Sequence, residues 1–104
     1  GSISEQIKIL ETQEDPYRLF GLLSSQVFQL AAISRAKDVS IEQMAKDLKV
    51  HPYPLKKLKP LANKLGKREV SNIVDRVAEL DIQLKTSAGE PWLLLERTLI
   101  KIAN

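Results

Sequence analysis

The chain has no cysteine, which excludes disulfides, thiolate catalysis and cysteine-ligated zinc. It has a single histidine, His51, so any metal site would fall to carboxylates alone. No apolar run approaches the length that spans a bilayer, and no signal-peptide pattern opens the sequence. A soluble protein with no membrane partner is expected. No stretch alternates apolar and polar residues for long enough to argue for a strand, and there is no internal repeat or low-complexity segment.

What is present is helical spacing throughout the 104 residues, a length that can bury one core without staples. A first helix is expected from about Ile3 to Gln13, with Ile3, Ile7 and Leu10 on one side. Asp15 reads as an N-cap with Pro16 at the first helical position, where its missing N–H costs nothing. The second helix runs to about Lys37. Its main stripe holds Leu19, Phe20, Leu22, Leu23, Val27, Leu30, Ala31 and Ile33, while Tyr17 and Phe28 project from another side with Gly21 between them. Ser40 followed by Gln43 is a capping-box pattern for a helix from Ile41 to about Leu48. Val50-His51-Pro52 makes a turn, in which His51 is a capping or solvated imidazole. The next helix carries Leu55, Leu58, Leu61, Ala62 and Leu65 on one side. Pro60 is expected to kink it or end it at Lys59. Gly66 closes that segment, a long helix follows from about Lys67 to Thr86, and a last helix with Pro91 near its start runs to about Ile102.

Two carboxylates stand inside apolar stripes. Val70, Ile73, Val74, Val77, Leu80 and Leu84 wind onto one face, and Asp81 falls among them. Glu96 lies similarly among Trp92, Leu95, Leu99, Ile100 and Ala103. A buried carboxylate is costly unless it is paired, so both are expected to be structural buried acids with partners, Lys85 being one turn after Asp81. On that reading Asp81→Ala costs clearly more stability than an exposed change such as Glu5→Ala.

The hairpin from Ile41 to Lys59 has the apolar spacing of a helix-turn-helix, with Ala45, Val50, Leu55 and Leu58 at the packing positions. Lys49 stands where such turns usually have glycine, because the turn residue often needs a positive φ. A plain helical hairpin closes its core with the same spacing. Charge bears on the choice: Lys46, Lys49, Lys56, Lys57, Lys59, Lys64, Lys67 and Arg68 face one acid, Asp47, between residues 46 and 68. A candidate DNA-facing basic stripe of Lys56, Lys57, Lys59, Lys64, Lys67 and Arg68 follows, and it competes with a solvated helix face.

Enzyme motifs fail. Gly66-Lys67 looks like the end of a phosphate loop, but Leu61 occupies the place of the required earlier glycine and the preceding strand is missing. Asp81 and Glu96 sit in apolar stripes near basic residues, which fits ion pairs better than paired acid catalysis. No catalytic residue, cofactor, metal or small-molecule substrate is assigned.

Four phrases in order along the chain carry a resemblance. Leu80-Asp81-Ile82-Gln83-Leu84-Lys85-Thr86 followed by Leu94-Leu95-Glu96-Arg97 resembles the end of the delta subunit of bacterial DNA polymerase III, part of the sliding-clamp loader. In that family an Asp and a Lys four apart close the penultimate helix, and a Leu-Glu-Arg opens the last. Glu14-Asp15-Pro16 with Leu19 and Leu22-Leu23 is similar to the family's helix start, and Val50-His51-Pro52-Tyr53 to its short turn.

The resemblance implies an all-α fold, a collar-like bundle of five to six helices containing the helix-turn-helix-like hairpin. It implies a non-catalytic C-terminal domain that packs with the collar domains of the other clamp-loader subunits in DNA replication, in a bacterial cytoplasm. Gly1-Ser2 reads as a cloning scar and residues 3–104 as one helical domain cut from a longer chain. Tyr17, Phe28 and Ile82 lie off the main stripes of their helices and are candidate interface residues, with core between more than two helices as their other reading. Weak, non-specific DNA contact is the expectation for the basic stripe. The alternative function is a helix-turn-helix DNA-binding module using Tyr53, Lys56, Lys57 and Lys59; a helical adaptor unrelated to replication is the third.

Overall fold

The computed structural model describes residues 2–36 and 38–103. Among them are five α-helices and no strand: α1 (Ile3–Glu11), α2 (Pro16–Arg35), α3 (Ile41–Leu48), α4 (Pro52–Lys85) and α5 (Pro91–Ala103). The all-α reading is borne out. Gly1 of the expected cloning scar and Lys37, the expected end of the second helix, lie outside the described residues; Arg35 is the last residue of α2. No helix among the described residues is long and apolar enough to cross a membrane.

Helix starts follow their side chains. Ser2 Oγ accepts the Glu5 backbone N–H at 3.2 Å and caps α1. Asp15 Oδ1 accepts from Tyr17 N–H at 2.8 Å, with Pro16 the first residue of α2. Ser40 Oγ accepts from Gln43 N–H at 3.1 Å, but the Gln43 side chain donates to Asp47 Oδ1 instead, so only half of a capping box forms. At α5 the cap is Glu90, whose carboxylate accepts from Trp92 N–H at 3.0 Å and Leu93 N–H at 2.9 Å.

Two helices end on left-handed residues that are not glycine. Lys49 has φ 58 and ψ 42; its N–H donates to Lys46 O, and Val50 N–H reaches back to Ala45 O at 3.0 Å. This is a Schellman closure, with lysine in the position glycine occupies most cheaply. Ser87, φ 54, takes the same left-handed conformation after α4, where Ala88 N–H donates to Gln83 O at 3.0 Å.

α4 changes direction at Gly66, not at Pro60. Gly66 has φ 78 and ψ 166, a region almost restricted to glycine, while Pro60 sits inside helical backbone. Pro60 and Lys56, whose carbonyl loses its donor to the proline ring, are both exposed, so water can satisfy that oxygen.

Packing divides the chain into two compact units, Gly1–Ser25 with Asp75–Asn104, and Gln26–Val74. In the first, α1 packs against α5. Its core is Ile7, Leu80, Leu84, Trp92, Leu94 and Leu95, ringed by half-buried Ile3, Leu10, Leu19, Phe20, Leu23 and Leu99. In the second, Leu30, Ile33, Met44, Ala45, Leu55, Ala62 and Val70 form the core. Leu22 and Leu61, assigned above to apolar stripes, are 56% and 42% exposed.

Candidate interaction surfaces

Neither acid is buried. Asp81 lies at the edge of the stripe formed by Val70, Val77, Leu80 and Leu84, with its side chain 40% exposed. Lys85 Nζ donates to Asp81 Oδ2 at 3.0 Å, but the lysine side chain is 74% exposed, so this is a surface i,i+4 pair. Glu96 is half-buried and takes part in none of the ion pairs among the described residues. The buried side of α5 is Trp92, Leu94, Leu95 and Thr98, whereas Ile100 and Ala103 are exposed. The true stripe is thus turned by roughly one residue, about 100°, from the one drawn through Ile100 and Ala103, which moves Glu96 to its margin. The expectation of structural buried acids is corrected for both residues.

The candidate association residues are large and exposed: Tyr17 55%, Phe28 64% and Ile82 62%. Tyr17 and Ile82 belong to the first unit and Phe28 to the second. Phe28 and Tyr17 lie on sides of α2 away from the buried Val27, Leu30 and Ile33, as helical winding requires. Around Gly21, on the same side of the helix as Tyr17, an added Cβ would meet nothing within 4 Å. Ile9 and Leu22, 59% and 56% exposed, were not anticipated as surface residues. Placing Ile9 on the wheel relative to Ile3, Ile7 and Leu10 would have found it.

All six members of the basic stripe are exposed, but they do not form one line. Lys56, Lys57 and Lys64 wind onto the side of α4 that carries Tyr53, opposite Leu55, Leu58 and Ala62. Lys57 Nζ lies 5.1 Å from the Tyr53 ring centroid, and Lys56 Nζ is 3.7 Å from Glu42 Oε1. Lys59 turns toward a hollow shared with Met44 and Asn63. Lys67 and Arg68 follow the break at Gly66, where the helical phase is reset, and Lys67 lines a separate cleft with Ser34. The chemistry of that cleft, which also includes Arg35, Asn63 and Ser71, was not visible in the sequence because its members come from two helices.

Residues 3–102 match the family described as DNA polymerase III delta subunit, C-terminal domain. The chain is 29% identical over 97 residues to the DNA polymerase III subunit delta of Bacillus subtilis (strain 168), a match covering 90% of this chain and 28% of that protein. Its fold is similar to the solved Bacillus subtilis DNA clamp loader delta protein, with a TM-score of 0.78 and 27% identity over 91% of this chain and 29% of that one. The chain therefore spans under a third of the length of these relatives. The similarities favour the loader-subunit reading over the helix-turn-helix DNA-binding module.

Proposed function

Because this chain belongs to the family of C-terminal domains of the DNA polymerase III delta subunit, we propose that it is the collar of a clamp-loader subunit and acts by association. The match to that family over nearly the whole chain carries the reading. In this role the domain joins the C-terminal domains of the other loader subunits in the bacterial cytoplasm. It has no catalytic task and binds no cofactor or metal. Tyr17, Phe28 and Ile82 are the contact residues, because burial of each removes a large apolar side chain from water, at about 25 cal/mol per Å². The exposed lysines beside Tyr53 give at most weak, salt-sensitive contact with DNA.

The test is association of this chain with the C-terminal domains of the other loader subunits, followed by size-exclusion chromatography and calorimetry. Tyr17→Glu, Phe28→Glu or Ile82→Glu should weaken the complex by about 2 kcal/mol or more where the residue is an anchor, with helical content unchanged. Association unaffected by all three substitutions would remove these residues from the interface. Nucleotide turnover above background by purified protein would refute the non-catalytic role.

A further inference from the structure

The second unit contains a cleft that the association reading leaves unused. Between the end of α2 and the part of α4 around Gly66 lie two adjoining hollows of about 250 and 280 Å³, and Ser34 and Lys67 line both. Arg35 and Ser71 complete the polar lining of one, and Asn63 that of the other. Ser34 is one of the few buried polar residues, only 6% exposed. No carboxylate lines either hollow.

The donor set selects the ligand. In the hollow that Arg35 and Ser71 complete, an ammonium, a guanidinium and two hydroxyls offer hydrogen-bond donors in excess, and the two cationic groups face no acid within the lining. A fitting ligand is therefore negative and rich in acceptors on several sides, which describes a tetrahedral oxyanion better than a carboxylate. Size narrows it further. Each hollow is smaller than the roughly 300–1,000 Å³ of sites that enclose whole organic ligands, so it admits one such group with some water and not an entire nucleotide. We propose that the hollow lined by Arg35 and Ser71 is a phosphate site, in which Lys67 and Arg35 neutralise the oxyanion and Ser34 and Ser71 orient it. The proposal does not depend on the collar reading. The phosphate group is either free inorganic phosphate or a phosphodiester of a nucleic-acid strand passing over the unit.

The structural alternative is that Lys67 and Arg35 serve the C-terminal carbonyls of α2, where cations are favoured. A titration of the whole chain followed by backbone amide NMR separates the two. Inorganic phosphate, compared with chloride at equal ionic strength, should shift the amides of Ser34, Lys67 and Ser71 saturably, with a Kd in the millimolar range. Lys67→Ala should weaken binding by about fivefold to tenfold. Ser71→Asp, at an exposed position that leaves packing intact, should abolish it by placing a carboxylate in the site. A short oligothymidylate binding more tightly at the same amides assigns the site to a nucleic-acid strand, whereas response to inorganic phosphate alone assigns it to the free ion. The proposal fails if phosphate gives no saturable shift at these amides. It also fails if both variants bind as the parent does, or if Lys67→Ala lowers the melting temperature while anion binding is absent in every form.

Discussion

The two units are built from different materials. The first holds six Lys and Arg against nine Asp and Glu, and the second ten against four. Their cores differ as well. The first closes on Trp92 and four leucines, whereas the second uses Ala45 and Ala62 among its buried residues, with Ala31, Ala32 and Ala36 packed around them. Small side chains let backbones approach but fill less space, and the cleft of Ser34 and Lys67 opens beside such a core. The modest net charge of the whole chain conceals this division: the positive excess resides in the second unit, and the phrases closest to the delta-subunit pattern, around Asp81 and Glu96, lie in the first.

The largest effect should come from truncating a core leucine. Leu95 is fully buried, and Leu95→Ala should cost about 2–5 kcal/mol, whereas Ala62→Gly in the second unit should cost about 1, chiefly through helix propensity. Urea denaturation of the two variants checks the order, and equal losses would show that Leu95 is not the close-packed residue its burial implies. Next, Gly66→Ala should lose about 1–3 kcal/mol. No atom lies within 4 Å of the new Cβ, so the loss would be backbone strain at φ 78 and not a clash. An unchanged midpoint would mean that α4 readily straightens there.

A gain is expected at the hairpin turn of the second unit. Lys49→Gly should raise stability by about 0.5–1 kcal/mol by relieving the left-handed lysine, read as an increase in melting temperature. The smallest effect is that of Asp81→Ala in the first unit. An exposed i,i+4 pair is worth about 0.3–0.5 kcal/mol, far from the loss expected of a buried acid. A loss above about 2 kcal/mol would restore the buried-pair reading that the geometry overturns.

These outcomes also mark where sequence reasoning reached the fold and where it stopped. Caps and breaks are local: Asp15-Pro16, Ser40, the strained turn at Lys49 and the end of a segment at Gly66 could be read because each acts on backbone groups within a few residues. Pro60 misled because its cost depends on whether the freed carbonyl meets water, and that depends on which side of α4 faces the core. Asp81 and Glu96 misled for a related reason. An apolar pattern gives the width of a stripe, but its centre is set by the neighbours it packs against, and a turn of one residue moves a carboxylate from core to rim. Glu90 was missed because glutamate is a less expected cap than serine or aspartate, although the following Pro91 offered a signal. The cleft was beyond reach, since Ser34 and Lys67 meet only through tertiary packing.

The central claim is that this domain works by association, and its most direct test is a competition between two kinds of partner. The chain should form a complex with the C-terminal domains of the other clamp-loader subunits. Its affinity for duplex DNA should be weak, fall steeply with added salt and show no preference among sequences. A sequence-selective DNA complex that survives physiological salt, together with no binding to any loader C-terminal domain, would contradict the account.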